Sequence, residues 1–197
     1  MPDTRGVNEW LLDLINGHAG QSSTLDNVAI FIANNGLYVL AAVLAGFGIM
    51  ELRRHPRRAF AIAGAACMAL LIAGALILLS GAFINEARPF ANDSDTILLV
   101  KHANDKSFPS DHTTVAAAAA MVGALAWRRW AALFLGGALA IGVARVFVGV
   151  HYPGDIAGGM AFGMLAGIAA WMIVRYIPTR RADGMKPASA RGAGLRL

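Results

Sequence analysis

A histidine and a carboxylate stand four residues apart in the stretch from His151 to Asp155. If a helix begins near Tyr152, the Asp155 carboxylate can accept the proton of one imidazole nitrogen, which leaves the other nitrogen of His151 free as a nucleophile or base. The pair alone is weak evidence, since helix-end capping often produces it. Arg145 precedes it inside an apolar run, where an ionisable side chain indicates function unless it snorkels to the lipid headgroups.

A second polar stretch opens with Arg88-Pro89 and closes with residues 106–112, which contain Lys106, Ser110 and His112. Ser110 or Asp111 suits the N-cap of a helix, whose free N–H groups favour an anion. Arginine offers forked donors that match phosphate oxygens. Together the two stretches predict a phosphate pocket with two histidines for acid–base or nucleophilic work. A metal site is the competing interpretation, disfavoured because the arginines would repel a cation; its ligands would be His112, His151, Asp111 and Asp155.

The composition places these residues in an integral membrane protein. Of the 197 residues, 57% are hydrophobic and only 15% are charged, with a mean hydropathy of +0.55. A soluble domain carries about 25% charge, so this chain cannot cover a water-facing surface. The same numbers exclude intrinsic disorder. The net charge of +5 is explained by basic residues beside apolar spans, so nucleic acid is not an expected partner.

The apolar runs predict an all-α, polytopic helical bundle with about five transmembrane helices. The spans are expected at 28–50, 60–84, 110–128, 130–150 and 156–177. The membrane-embedded domain is thus 1–177, and the basic tail 178–197 is predicted to be disordered and cytoplasmic. Glycines 159, 163 and 167 in the last span allow close helix approach, with a neighbour in this chain or in a second subunit. Residues 92–104 either cover the pocket or merely connect two spans.

The segment 7–15 has apolar residues at helical spacing, with Glu9 and Asp13 opposite. This pattern predicts an N-terminal amphipathic helix. Two interpretations are open: a helix on the membrane surface, or a packing helix without lipid contact.

Most of the 17 basic residues fall in the first and third turns and around the last span. With five spans these places share one side, and only two of the 12 acidic residues, Glu51 and Asp183, join them. The positive-inside rule makes that side cytoplasmic. The two polar stretches are then expected on the periplasmic or extracellular face of a bacterial plasma membrane.

These stretches resemble the three-part signature of the type 2 phosphatidic acid phosphatase superfamily, which also includes vanadium haloperoxidases. Residues 109–112 match its P-S-x-H motif, and Arg145, His151 and Asp155 match R-x5-H-x3-D. Arg88-Pro89 match the end of K-x6-R-P, but Gly81 stands at the lysine position. Ala144 stands where a serine usually precedes the arginine. Lys106 or Lys101 is a candidate to replace the missing charge.

The chain is short and contains the motifs S-F-P-S-D-H and V-G-V-H-Y-P. In these features it resembles the bacitracin-resistance type of undecaprenyl pyrophosphate phosphatase. The resemblance implies metal- and cofactor-free phosphoryl transfer. His151 would be the nucleophile, Asp155 its orienting carboxylate and His112 the general acid and base. The phosphoryl oxygens would be bound by Arg88, Arg145, Ser110 and Lys106.

Two alternative functions are compatible with these residues. The same chemistry would serve phosphatidylglycerophosphate, phosphatidic acid or diacylglycerol pyrophosphate. The missing lysine also permits a non-catalytic lipid-binding or transport protein. A soluble vanadate-dependent peroxidase is excluded by the uninterrupted apolar spans.

Overall fold

The computed structural model describes residues 6–184, with side chains up to Tyr176, and within this range it contains helices and no strand. Seven α-helices follow one another along the chain, α4 being a single turn. They are α1 Val7–Asn16, α2 Ser23–Arg54, α3 Pro56–Phe83, α4 Pro89–Asn92, α5 Asp111–Ala126, α6 Ala131–Phe147 and α7 Pro153–Gly184, with a 3-10 turn at Arg128–Trp130 before α6. The predicted all-α polytopic bundle is confirmed.

Four helices in the described range are long and apolar enough to cross a membrane: α2, α3, α6 with the preceding 3-10 turn, and α7 up to Tyr176. The fifth expected span, α5, begins after Ser110 as predicted but ends at Ala126, so it has only 16 residues. It lies in the middle of the bundle, where α3, α6 and α7 pack around it. Other helices thus cover most of α5, and alanines let them approach closely.

The helices α5 and α7 run parallel and both begin at the same end of the bundle. A Cβ atom built on Gly163 would lie 2.4 Å from the Thr114 carbonyl oxygen and 2.6 Å from the Ala117 Cβ. Gly159 and Gly167 contact α5 one turn earlier and one turn later. The glycine stripe therefore packs within this chain, and it sets the two helix N-termini side by side.

The opposite end of the bundle contains the arginine-rich turns. Arg58 donates from Nη1 to Glu51 Oε1 at 2.8 Å and from Nη2 to the Ala126 carbonyl at 2.7 Å. Trp127 donates its indole N–H to the other oxygen of Glu51 at 3.2 Å. This network fixes the α2–α3 turn against the end of α5.

The N-terminal helix α1 combines features of both interpretations left open above. Leu12 is buried against Val146, Tyr152 and Ile156, so one face packs on the bundle. A second stripe on α1 is exposed and apolar, which suits a membrane surface; it consists of Val7, Trp10 and Leu14.

The last helix extends further than its apolar pattern predicted. It continues past Ile177 to Gly184, into the segment 178–197 for which disorder is predicted. Residues 185–197 lie outside the described range, so the prediction for them stays a prediction.

Substituting Gly163 with alanine is expected to destabilise the bundle by about 1–3 kcal/mol, because the new methyl group would meet backbone atoms of α5 that cannot move aside. Thermal unfolding of the purified protein in detergent measures the effect. Gly136→Ala is the matched control, since nothing lies within 4 Å of a Cβ there and alanine favours a helix interior. Equal melting temperatures for the two variants would contradict the packing described here.

Candidate active site

The structure gathers most of the predicted site residues at the end of the bundle where α5 and α7 begin. Four of them are almost completely buried although they are ionisable: Arg88 is 4% exposed, Arg145 3%, His151 2% and Asp155 1%. Each comes from the end of a helix or from the connection between helices. Burying so many charges requires specific partners, and these partners define the site.

Asp155 holds the ring of His151 in one tautomer. Its Oδ2 atom lies 3.2 Å from His151 Nδ1, while Arg88 Nη1 lies 3.1 Å from His151 Nε2. A carboxylate accepts and a guanidinium only donates. The Nδ1 atom therefore carries the proton, and Nε2 presents a lone pair. The helix beginning at Pro153 brings the carboxylate back toward the imidazole, as the spacing predicted.

Asp155 is also bound by its surroundings. The Oδ2 atom accepts from the Ser107 hydroxyl and, at 2.8 Å, from the Tyr152 backbone N–H. The Asp155 carbonyl accepts from the Ser110 N–H at 3.2 Å. The start of α7 is thereby tied to the start of α5. Oδ1 of Asp155 is buried and makes no hydrogen bond within the described residues.

The Arg88 guanidinium lies beside the His151 ring, with Nη1 3.1 Å from Nε2 and 3.4 Å from Nδ1. Two further groups hold it in place. It donates from Nε to Asp105 Oδ1 at 2.7 Å and from Nη1 to the Val150 carbonyl at 2.8 Å. Partial burial acts to raise the pKa of Asp105, but the hydrogen bond and charge of Arg88 outweigh it and lower that pKa. The carboxylate of Asp105 is thus ionised and orients Arg88.

Arg145, which comes from the last turn of α6, has a different partner. Its Nη2 atom lies 2.8 Å from His102 Nε2. Its Nε atom is buried and has no hydrogen-bond partner among the described residues. A buried N–H group without a partner is costly, so this donor is suited to an anionic ligand.

Ser110 and His112 stand at the beginning of α5. Ser110 occupies the N-cap position, but its side chain makes no capping bond; its hydroxyl accepts from the Thr113 hydroxyl at 3.1 Å. His112 is half-buried and lies within the electrostatic reach of Arg145, Arg88 and His102. His112 therefore experiences the charge of both arginines, and N–H groups at the start of α5 add donors for an anion.

Lys106 is exposed, and its Nζ atom donates to the Gly81 carbonyl. The Lys106 Cδ atom lies 4.0 Å from the position a Cβ would take at Gly81. The ammonium group is therefore beside the position where the resembled family has its lysine. A phosphate-binding role for Lys106 remains a prediction.

Sequence reasoning missed three partners of the site: His102, Asp105 and Ser107. They lie in the irregular connection between α4 and α5, where no periodicity assigns a direction to a side chain. Ser107 is the first residue of the S-F-P-S-D-H motif, and that motif was the one signal in the sequence that could have identified it. The connection does more than link two spans, because it supplies a partner to each buried arginine.

The site is electropositive and suits a tetrahedral anion. Two guanidinium groups and two helix N-termini converge on it, and such groups favour phosphate. Within residues 6–176, no three His, Cys, Asp or Glu side chains come together as a metal cluster.

Burial lowers the pKa of His151 to about 4; the hydrogen bond to Asp155 opposes this shift and the charge of Arg88 adds to it. We expect the imidazole to stay neutral at neutral pH and to become charged only as the pH falls toward that value. Titration of histidine-labelled protein by ¹⁵N NMR measures this. The Arg88→Gln variant is the comparison, since removing a positive neighbour should move the midpoint upward. A wild-type midpoint near the ordinary 6.5 would contradict the described burial.

Known proteins resemble this chain in sequence and in structure. The model of the PAP2 superfamily matches residues 62–178. Undecaprenyl-diphosphatase BcrC of Bacillus subtilis (strain 168) is 32% identical over 82% of this chain and 81% of its own length. The bacitracin transport permease protein BcrC of Bacillus licheniformis is 31% identical over 78% of this chain and 74% of its own length.

The crystal structure of Aquifex aeolicus LpxE superimposes with a TM-score of 0.69 at 26% identity, covering 86% of this chain and 98% of that one. The sequence match and the common fold include the elements that carry His112, Arg145, His151 and Asp155. The chain belongs to the PAP2 superfamily and is a membrane-embedded phosphatase of that family.

Proposed function

We propose that this protein hydrolyses undecaprenyl pyrophosphate to undecaprenyl phosphate at the outer face of the bacterial plasma membrane, through a phosphohistidine intermediate. The observation that carries the proposal is the His151 imidazole, whose Nδ1 is held by Asp155 and whose Nε2 lies 3.1 Å from the buried Arg88 guanidinium. The Bacillus subtilis relative bears the name undecaprenyl-diphosphatase, which supports the choice of substrate. The Bacillus licheniformis relative is named a bacitracin transport permease protein, which supports a contribution of this protein to bacitracin resistance.

The first step transfers the terminal phosphoryl group to His151. Its Nε2 lone pair forms the N–P bond while the bond from phosphorus to the bridging oxygen breaks. His112 gives a proton to the departing lipid phosphate. Asp155 stabilises the positive imidazole that forms, as an orienting carboxylate does in other histidine sites.

The second step releases phosphate. A water molecule attacks the phosphorus, the N–P bond breaks, and His112 accepts the proton of the water. Arg88 Nη1 lies 3.1 Å from the attacking nitrogen, so it can move its donation to a phosphoryl oxygen as the N–P bond forms. Arg88, Arg145 and Ser110 then stabilise charge on the transferred group, which is the main catalytic requirement in phosphoryl transfer.

The outward orientation is supported by charge. The arginine-rich turns lie at the end of the bundle opposite the site, and the positive-inside rule assigns such an end to the cytoplasm. The outer surfaces of α2 and α3 carry exposed apolar residues, among them Phe31, Leu71 and Leu78. A lipid chain can lie against these surfaces while its pyrophosphate enters between the helix ends.

Wild-type protein in detergent is expected to release phosphate from undecaprenyl pyrophosphate in the presence of EDTA, whereas His151→Ala should be inactive, because the nitrogen that forms the N–P bond is removed. Phosphate release is measured together with acid-labile ³²P on the protein. Side-by-side rates on phosphatidylglycerophosphate, phosphatidic acid and diacylglycerol pyrophosphate establish the preferred lipid.

His18→Ala is the matched control, since His18 is exposed in the turn after α1 and bonds the carbonyl of Leu14 in that helix. It should keep wild-type activity. Absence of release from every lipid by folded wild-type protein would refute the proposal and leave the lipid-binding or transport alternative, which the permease name of the Bacillus licheniformis relative favours.

Ser107→Ala should lower the rate about 10- to 100-fold, because a hydrogen bond to a charged group is worth about 1.5–3 kcal/mol and the lost hydroxyl orients Asp155. The same assay measures it. Ser80→Ala is a fitting control, since among the described residues that buried hydroxyl bonds the Ile77 carbonyl of its own helix and no group of the site. Equal rates for the two variants would show that Ser107 does not act through Asp155.

A further inference from the structure

Arg145 is hydrogen-bonded to an imidazole from the connection between α4 and α5. Its Nη2 lies 2.8 Å from His102 Nε2, and His102 Nδ1 lies 3.0 Å from the Ala103 carbonyl oxygen. A guanidinium can only donate and a carbonyl can only accept. The proton of the ring is therefore on Nδ1, and His102 is neutral in this arrangement.

The two buried arginines of the site are thus held in different ways. Arg88 is bound by the carboxylate of Asp105, which is well exposed, so solvent screens its charge. Arg145 is equally buried, but its partner is neutral. A carboxylate at that depth would offset much of the positive charge that the phosphoryl group needs, whereas an imidazole nitrogen fixes the guanidinium and leaves the charge intact.

We propose that His102 is a positioning residue for phosphoryl transfer: its Nε2 atom fixes the Arg145 guanidinium, with the unpartnered Nε directed toward the phosphoryl oxygens, without neutralising it. This inference rests on the proposed function. It assigns His102 no contact with the reacting atoms. Fixing a donor before the reaction removes the cost of reorienting it in the transition state.

The connection that carries His102 is itself fixed to the site. The Asn16 side chain donates to the carbonyls of Ile97 and Phe147 and accepts from the Ile97 N–H. The Leu99 N–H donates to the Val148 carbonyl at 3.2 Å. The segment 97–99 is thus attached to the end of α6, three residues before His102.

The surroundings keep the ring of His102 neutral. Burial lowers its pKa, the bond to Ala103 opposes this, and the charges of Arg88 and Arg145 lower it further against the opposing charge of Asp105. The ring of His151 stands edge-on to that of His102, with 6.4 Å between the centroids. The other ionisable groups within electrostatic range of His102 are His112 and Asp111.

Three variants test the inference: His102→Ala, His102→Gln and His102→Glu. Gln and Glu have the same shape, and both place an acceptor oxygen near the position of Nε2, but only Glu brings a charge. We expect His102→Ala to lower kcat/KM about 10- to 100-fold, as loss of one preorganised donor does. His102→Gln should recover most of that loss, and His102→Glu should stay at least about tenfold below His102→Gln, because its carboxylate offsets Arg145.

Phosphate release from undecaprenyl pyrophosphate is the measurement, with gel filtration and thermal unfolding of each variant and His18→Ala as the control. Equal rates for His102→Gln and His102→Glu would overturn the inference, as would a wild-type rate for His102→Ala. If His102→Ala fails to fold, comparing the rates of His102→Gln and His102→Glu still tests the inference. Inactive wild-type protein would instead refute the proposed function, so the two failures are distinguishable.

Discussion

The buried carboxylate of Asp155 is the interaction on which the rest of the site depends. An ionised carboxylate at this depth is stable only when hydrogen-bond donors replace the water it has lost. Here the donors come from three places: the Ser107 hydroxyl, the Tyr152 backbone and the His151 ring. The hydrogen bonds to this carboxylate therefore join the α4–α5 connection, the α6–α7 turn and the start of α7. They also fix the tautomer of His151.

This arrangement requires α5 and α7 to begin side by side, and the requirement explains the small residues between them. Parallel helices whose N-termini meet would be kept apart by larger side chains, since Gly163 already touches the backbone of α5. Close packing of small residues is also how helices associate in lipid, where burial of apolar surface gives no driving force. The same glycines therefore serve the stability of the bundle and the geometry of its site.

The sequence predicts well what depends on spacing along one helix or on position relative to the membrane. His151 and Asp155 are predicted as a pair because a helix start links them, and Arg145 stands out as an ionisable residue inside an apolar run. The two polar stretches are predicted at one end because the spans alternate in direction. The roles of His102 and Asp105 could not be predicted, since an irregular connection has no period and their partners are 43 and 17 residues away. The length of α5 was overestimated because an alanine-rich helix at the centre of a bundle needs no full span of its own.

The two arginines show how a site can be rigid and still strongly positive. A guanidinium that is held only by carboxylates is well oriented but has little charge left for a ligand, whereas one without partners keeps its charge and is poorly oriented. Arg88 uses an exposed carboxylate, whose effect water weakens, together with the Val150 carbonyl. Arg145 is bound by a neutral imidazole, and its Nε–H has no partner in the part of the chain that the structure describes. Both guanidinium groups are thereby held in a fixed orientation while most of their positive charge stays available. Preorganised positive charge of this kind stabilises a transferred phosphoryl group.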